Sequence, residues 1–261
     1  MENNTLKGSV GMGQKIAFGF GMLANQMFPA ALGVFIIVLV QDLGFAALLW
    51  GIIQFAPRIF DAVTDPLMGF ISDNTKSKWG RRRQYVFVGG ILMGLAYVAM
   101  WQLYEDDGII YNFIYFFSWS LVFYLGLTIF SVPYVAMGYE ISDDFHERTQ
   151  IMAIAQFIGQ WAWVIAPWFW VILYDPAWFP DGAGQGVRDL SIWVAIPCTI
   201  FAIIPAIFIK SKSTLDRKDF LPVNSSYISK SIKGIFISAF EAFKIKQFKK
   251  IAFATFLIFN S

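Results

Sequence analysis

The sequence predicts an all-α membrane protein, on the basis of its composition, its long apolar segments and the distribution of its cations. Hydrophobic residues make up 57% of the 261 residues and charged residues only 15%, whereas about a quarter of the residues are charged in a typical soluble domain. Six apolar segments are each long enough to cross about 30 Å of hydrocarbon. Most Lys and Arg residues lie in alternate loops, which is typical of a polytopic protein.

The predicted spans form a six-helix bundle that takes up residues 1–210. Each span has about the 20 residues that a membrane crossing needs, or more. The predicted spans run from Ile16 to Val40, Leu48 to Ser72, Tyr85 to Leu103, Ile109 to Met137, Met152 to Leu173 and Leu190 to Ile209.

Residues 211–247 are predicted to form a cytoplasmic central loop, because the composition turns polar after Lys210. At the end of this loop, Ser229 to Lys250 is predicted to be an amphipathic basic helix on the inner leaflet. Residues 248–261 begin a seventh apolar helix, but about ten apolar residues cannot cross a membrane. The sequence is therefore expected to be a fragment, or a truncated form, of a chain about twice as long.

The cations predict the orientation of the bundle. Five lie in the loop after the second span and ten between Lys210 and Lys250, whereas the loops after spans one, three and five contain a single cation, Arg188, among many acids. The positive-inside rule places the cation-rich loops in the cytoplasm. We therefore expect a multi-pass protein of the inner (cell) membrane with a cytoplasmic N-terminus.

The second span carries three ionisable residues on one face. At about 100° per residue, Asp61 and Asp65 fall within about 60° of Arg58. One charge near the bilayer centre costs about 3 kcal/mol even on a mild scale, so these side chains are expected to face the protein interior or a wet cavity. The trio has a net charge of −1, so one bound proton or monovalent cation would neutralise it. A structural salt-bridge ladder between Arg58 and the two acids is the alternative interpretation.

Two motifs carry a family resemblance. The segments DAVTDPLMGFISDNTKSKWGRRR and VPYVAMGYEISDDFHERTQ resemble the glycoside–pentoside–hexuronide:cation symporters, the melibiose permease-like family of the major facilitator superfamily. The resemblance covers essentially the whole chain, as the N-terminal half of such a transporter with its central loop. It implies a major facilitator fold in which the six helices form two three-helix repeats.

The resemblance implies a cation site. It places Na⁺, Li⁺ or H⁺ at the two acids of the second span, the residue between them and a threonine of the fourth span: Asp61, Thr64, Asp65 and Thr128. Asp61 and Asp65 would hold a monovalent cation only, and no other metal or cofactor is expected. Thr64 replaces an asparagine of melibiose permease, so the choice between Na⁺ and H⁺ stays open.

The family's sugar site does not carry over. Where melibiose permease places an acid in the first helix, an acid in the fourth and an arginine in the fifth, this chain has Gln26, Ser131 and Gln156. Gln156, Gln160, Trp163 and Pro167 recur at helical spacing, with Trp161 close by, and amides beside indoles suit either a sugar face or an amphiphile. Polar contacts between helices are the alternative. The candidate substrate-binding residues are Asn25, Gln26, Arg58, Ser131, Gln156 and Gln160.

Charged residues at the cytoplasmic ends are candidates for gating. Ion pairs that break and reform would bias the inward-closed and outward-closed states. The candidates are Asp73, Arg81, Arg82, Glu140 and Arg148. Cations that only fix the orientation are the alternative, and this interpretation is favoured for Lys78 and Arg83.

The resemblance implies the N-terminal half of a secondary active transporter that couples Na⁺ or H⁺ entry to uptake of a sugar or glycoside-like solute by alternating access. The alternatives are a cation-coupled carrier of a lysolipid or other amphiphile, and a transporter-derived sensor that binds without translocating. An enzyme is disfavoured, because the sequence has no Ser–His–Asp set, metal cluster or Gly-rich phosphate loop. The expected partners are a small solute of the carbohydrate class, the lipid bilayer and the missing C-terminal six-helix half, but no nucleic acid.

Overall fold

A computed structural model of the chain describes residues 10–209, 214–215, 234, 237, 241–242 and 244–259. Within these residues the structure is helical and contains no strand, which confirms the predicted fold class. The helices are α1 (Met12–Gln41), α2 (Ala47–Asp73), α3 (Arg83–Met100), α4 (Ile109–Gly138), α5 (Phe145–Leu173), α6 (Ala183–Phe208) and α7 (Lys246–Phe259). A 3₁₀-helix at Glu105–Asp107 lies between α3 and α4.

Five of the described helices, α1, α3, α4, α5 and α6, are long and apolar enough to cross a membrane by length and composition. The helix α2 has 27 residues, enough to span, but it is not among the five. Its three mid-helix charges, Arg58, Asp61 and Asp65, lower its hydropathy. The structure therefore supports a multi-pass membrane protein, and the membrane crossing by α2 stays a prediction.

Two helices begin about two turns before the sequence predicts. The helix α5 begins at Phe145 rather than Met152, and α6 begins at Ala183 rather than Leu190. The Asp144 side chain caps α5 by accepting a hydrogen bond from the Glu147 backbone N–H at 2.7 Å. Because these first turns are polar, a hydropathy pattern does not include them in the span.

The helices pack in a pattern with internal two-fold character. The most extensive contacts are α3 with α4, α1 with α5, α1 with α6, α3 with α6, and α2 with α4. Exchanging α1 with α4, α2 with α5 and α3 with α6 converts α1–α5 into α4–α2 and α1–α6 into α4–α3. The α3–α6 contact is converted into itself. Each contact therefore has a counterpart, as expected for two three-helix repeats.

Glycines allow α3 and α4 to approach closely. A Cβ atom at Gly89 would lie 2.5 Å from the Phe130 backbone nitrogen, and one at Gly126 would lie 2.7 Å from that of Met93. Small residues at such crossings let helices pack by van der Waals contact where lipid removes the hydrophobic driving force. Rigid packing of α4 against α3 holds α4, and with it Thr128, in place against α2.

Part of the chain that follows α6 lies outside the described residues. Half of the predicted amphipathic helix from Ser229 to Lys250 lies there. Of its described residues, 234, 237, 241 and 242 are helical and the last five belong to α7. The seventh helix, predicted from residue 248, begins at Lys246 and runs to Phe259. The division into residues 1–210, 211–247 and 248–261 stays a prediction.

Candidate functional site

The helix α2 exposes two different faces. One is apolar and consists of Leu48, Ile52, Phe55, Ile59 and Val63. The other is polar and consists of Gln54, Arg58, Asp61 and Asp65, spaced four, three and four residues apart. At 100° per residue the two faces are separated by about 130°. The apolar face suits lipid, and the polar face is free to line a cavity.

Three of the four predicted cation ligands form one hydrogen-bonded group between α2 and α4. The Thr128 hydroxyl, which is buried, donates to Asp65 Oδ1 at 2.8 Å. Thr64 Oγ1 lies 3.4 Å from Thr128 Oγ1 and donates to the Phe60 carbonyl at 3.1 Å. The group therefore presents one carboxylate and two hydroxyls within a single α2–α4 contact.

Asp61, the fourth predicted ligand, has an unsatisfied oxygen. Its Oδ1 atom is buried and has no hydrogen-bond partner within the described residues. A buried carboxylate oxygen without a donor is costly, and a proton or a bound cation removes that cost. Carboxylate and hydroxyl oxygens are hard ligands of the type that hard cations prefer. The donor set therefore fits Na⁺ or H⁺.

The salt-bridge ladder between Arg58 and the acids does not form. No ion pair joins Arg58 to Asp61 or Asp65 within 4.0 Å in the part of the chain that the structure describes. Arg58 is exposed on the polar face of α2. Arg58 therefore does not neutralise the two carboxylates by direct pairing, and they can still bind a cation.

Gln26 is the predicted substrate residue with the best-defined environment. Its Oε1 atom accepts a hydrogen bond from Trp163 Nε1 at 3.1 Å, which joins α1 to α5. The next residue, Asn25, is half-buried, and among the described residues its side chain reaches only the Met22 sulfur of its own helix, at 3.9 Å. Gln26 and Trp163 therefore form a polar link at mid-depth, and Asn25 is not part of it.

The helix α5 also exposes two faces. Its polar face consists of Gln156, Gln160, Trp163 and Pro167, all exposed. Its apolar face consists of Phe157, Trp161, Val164 and Trp168, about 100° away at 100° per residue. Trp161, which the sequence suggested as a neighbour of the amides, lies on the apolar face, because two residues correspond to about 200° of rotation from Trp163.

The remaining substrate candidates are separated from Gln26. Ser131 lies on α4, about one turn beyond Thr128, and is half-buried. Arg58 lies beside Asp61 on α2. No contact among the described residues joins these two side chains to Gln26. The roles of all six candidate residues in binding a solute stay predictions.

Four of the five gating candidates form one network at the predicted cytoplasmic end. Arg82, whose side chain is almost buried, pairs with Asp73 and with Glu140 Oε1 at 3.0 Å, and donates to the Ala136 carbonyl at 2.7 Å. Arg81 pairs with Glu140 as well. The network ties the α2–α3 loop to the end of α4. Arg148 makes no ion pair within the described residues and is not part of it.

Arg83 has a structural role that the sequence interpretation missed. Its Nε atom donates to the Ala206 carbonyl at 2.6 Å and its Nη2 atom to the Ile207 carbonyl at 3.0 Å. These carbonyls belong to the last turn of α6, where backbone acceptors lack partners within the helix. Arg83 therefore caps α6, beyond any contribution to orientation.

Lys15 and Glu147 form a further ion pair at the predicted cytoplasmic end, which the sequence interpretation missed. The two charged groups are 3.7 Å apart and join α1 to α5. Glu147 also accepts hydrogen bonds from the Val10 backbone N–H at 2.5 Å and from the Ser142 hydroxyl at 2.6 Å. The available signal was a lone lysine in an otherwise apolar helix, because a buried cation needs an acidic partner.

Comparison with known proteins places the chain among transport proteins. Residues 17–236 match the model of the family described as MFS/sugar transport protein. An uncharacterized symporter of Synechocystis is 27% identical over 188 residues, which is 70% of this chain and 34% of that protein. The lactose permease of Leuconostoc lactis is 26% identical over 242 residues, or 85% of this chain and 37% of the permease.

The sodium-dependent lysophosphatidylcholine symporter 1 of Xenopus tropicalis is 31% identical over 140 residues, 51% of this chain and 26% of the symporter. The chain thus spans about a third of the length of the Synechocystis symporter and of the lactose permease. These relatives are transporters rather than enzymes, as the sequence indicated. Because the family model covers most of the chain, the protein belongs to the MFS/sugar transport protein family, and the predicted resemblance to cation symporters is confirmed.

Proposed function

We propose that this chain is the N-terminal six-helix half of a secondary active transporter that couples Na⁺ or H⁺ entry to solute uptake by alternating access. The observation that carries the proposal is the unsatisfied buried oxygen of Asp61, one helical turn from Asp65 and its bond to Thr128. The protein is oriented with its N-terminus in the cytoplasm of a cell whose inner membrane it spans.

Charge neutralisation gives this site a coupling mechanism. Arg58, Asp61 and Asp65 together carry a net charge of −1, so one cation brings the polar face of α2 to neutrality. A neutral site crosses a low-dielectric barrier with a smaller desolvation cost than a charged one. The binding of a cation would therefore permit the change from outward-facing to inward-facing states, and the solute would travel with it.

The cytoplasmic network supplies the inner gate. The pairs of Arg82 with Asp73 and Glu140 hold the α2–α3 loop against α4. Opening to the cytoplasm would loosen these pairs, and closing would restore them. Arg81 strengthens the closed arrangement through Glu140, whereas Arg148 would need a partner outside the described residues.

The solute is a sugar or glycoside-like molecule held by neutral polar groups on this half. Gln26, Gln156 and Gln160 offer amide donors and acceptors on α1 and α5, and the half-exposed Trp163 indole offers a face for an apolar sugar surface. Ser131 and Arg58 would contribute from the α2–α4 side. The other wall of the cavity comes from the second six-helix half.

The first test is Asp61→Asn in the full-length transporter, with Asp106→Asn, an exposed acid of the predicted outer side, as the matched control. Reconstituted vesicles would be assayed for uphill accumulation and for solute exchange at equal concentrations. We expect Asp61→Asn to abolish accumulation and retain exchange, because coupling is lost while the solute site remains. Accumulation at the wild-type rate would show that Asp61 has no coupling role.

A lysolipid or other amphiphile is the second candidate solute. The 31% identity to a lysophosphatidylcholine symporter and the absence of acidic anchors at positions 26 and 131 favour it. Uptake of lysophosphatidylcholine but not of glycosides by the same vesicles would select it. A transporter-derived sensor would bind a solute in these vesicles without any uptake, and the retained Asp61 and Asp65 argue against it.

A further inference from the structure

The hydrogen bond between Trp163 and Gln26 determines which atoms Gln26 can offer to a solute. An indole N–H can only donate, so the Gln26 atom that faces it must be the carbonyl oxygen. The distance of 3.1 Å is that of an ordinary hydrogen bond. An isolated glutamine can rotate its amide to present either a donor or an acceptor, but here one orientation is selected. The amide nitrogen of Gln26 therefore points away from Trp163.

The Gln26 side chain is held in place by close packing of α1 on α5. A Cβ atom at Gly159 would lie 2.6 Å from Met22 Cγ and 3.4 Å from Gln26 Cγ. Only glycine at position 159 lets the two helices approach so closely. Gln26 is half-buried, so its stem has little freedom while its amide remains accessible.

The amide nitrogen of Gln26 is left with free donors. Within the described residues, Nε2 makes no hydrogen bond, and neither do the side chains of Gln156 and Gln160 on the same side of α5. Two N–H groups of Gln26 are therefore available at mid-depth beside the exposed indole. A solute that approaches the amide nitrogen of Gln26 meets donors, not an acceptor.

We infer that Trp163 is a specificity-determining residue, which holds Gln26 so that its amide nitrogen, rather than its oxygen, faces the transported solute and presents N–H donors to it. This inference rests on the proposed function and names its substrate class. The favoured solutes place a hydrogen-bond acceptor that carries no hydrogen against the Gln26 amide nitrogen: a carboxylate, sulfonate, phosphate or ether oxygen. A cationic amine there is rejected, because two donors face each other and stay unpaired.

Trp161 provides a matched control for Trp163. The two tryptophans lie on the same helix and are equally exposed, 51% for Trp161 and 52% for Trp163. Only Trp163 reaches Gln26, and Trp161 lies on the apolar face of α5. Replacing either by phenylalanine removes the indole N–H and conserves an aromatic ring, so the two variants differ in the Gln26 contact.

The experiment measures solute selectivity in vesicles that contain the full-length transporter. Four probes compete with one another: methyl glucoside, the matching glucuronide with a carboxylate at C6, the matching 6-amino-6-deoxyglucoside with an ammonium at C6, and lysophosphatidylcholine. The readout is the inhibition constant of the amine divided by that of the most potent acceptor probe. A potent glucuronide would identify a sugar acid as the source of the acceptor, and potent lysophosphatidylcholine would identify an amphiphile headgroup.

The two phenylalanine variants are expected to differ. In wild type this ratio is above one, because the acceptor probe binds more tightly than the amine. Trp163→Phe lowers the ratio by about tenfold, because the freed amide can turn its oxygen toward the solute. Trp161→Phe changes the ratio by less than about twofold. Loss of aromatic stacking alone would weaken all probes alike and leave the ratio unchanged.

Gln26→Glu tests the same inference without changing either indole. One carboxylate oxygen still accepts from Trp163 and the other now faces the solute as an acceptor. We expect the preference to reverse toward the amine, by about a hundredfold relative to wild type, because charge-assisted bonds are about twice as strong as neutral ones. Uptake with the same ratio in wild type, Trp163→Phe and Gln26→Glu would overturn this inference alone. No uptake of any probe by wild type would overturn the proposed function together with it.

Discussion

The α2–α4 contact and the α1–α5 contact are counterparts in the two repeats, and they differ in charge. At mid-depth the first is joined by a hydroxyl that donates to a carboxylate, Thr128 to Asp65. The second is joined by an indole that donates to an amide, Trp163 to Gln26. The same packing arrangement thus supports an ionic site in one case and a neutral polar site in the other. Under the proposed function, cation and solute recognition are divided between symmetry-related helix pairs.

The predicted cytoplasmic ends of the two pairs differ less. Each holds a buried cation, Arg82 on the α2–α4 side and Lys15 on the α1–α5 side, and each cation meets an acid. Arg82 has more partners, since it reaches two carboxylates and a backbone carbonyl. Lys15 reaches Glu147 at 3.7 Å and the Gln150 amide oxygen at 3.3 Å. The α2–α4 end is therefore the more strongly tied of the two.

The largest effects on transport are expected from substitutions at the two mid-depth contacts, and the two effects should differ in kind. Asp65→Ala in the full-length transporter should lower uphill accumulation by at least about a hundredfold, because the cation loses a charged ligand. Gln26→Ala should weaken solute affinity by about tenfold, since one hydrogen bond to the solute is lost, and should keep the dependence on the cation gradient. Initial uptake rates at several cation and solute concentrations measure both quantities. Equal loss of cation dependence in both variants would break the comparison.

A smaller effect is expected at the predicted cytoplasmic ends. Arg82→Gln should lower the free energy of unfolding by about 2 kcal/mol, a value reduced from that of a fully buried pair because Asp73 and Glu140 are partly in water. Lys15→Gln should cost about 1 kcal/mol, since its ion pair is longer and the amide can still contact Gln150. Thermal unfolding of the purified variants in detergent measures which variant loses more stability. A larger loss for Lys15→Gln would show that the α1–α5 end is the stronger.

The smallest effect is expected at the opposite end of the α1–α5 pair. The Tyr174 hydroxyl lies 2.9 Å from Asp42 Oδ2 and 3.1 Å from Gln41 Oε1, all three residues being exposed. Tyr174→Phe removes these bonds and should cost about 0.5 kcal/mol, because water replaces the hydroxyl at an exposed site. The same unfolding assay applies, with Tyr139→Phe, an exposed tyrosine beyond α4, as the control. A loss of stability as large as that of Arg82→Gln would show that the Tyr174 hydrogen bonds stabilise the α1–α5 pair as strongly as the Arg82 ion pairs stabilise the α2–α4 pair.

The sequence by itself determined the membrane class, the helix order and the location of the charged helix. These follow from local physics. Apolar segments need lipid or a protein core, and the free-energy cost of placing Arg58, Asp61 and Asp65 in lipid requires that they face protein or water. The family motifs led to Asp61, Thr64, Asp65 and Thr128, and the structure brings three of them into hydrogen-bonded contact. Their role in binding a cation stays a prediction.

Only the tertiary structure decided which polar groups meet across helices. Gln26 and Trp163 are 137 residues apart, and so no periodicity within either helix could pair them. Arg83 differs from Arg82 by one residue, yet it caps α6 while Arg82 joins the acids. A sequence pattern reports the face of one helix, whereas a hydrogen bond between helices depends on how two faces are brought together.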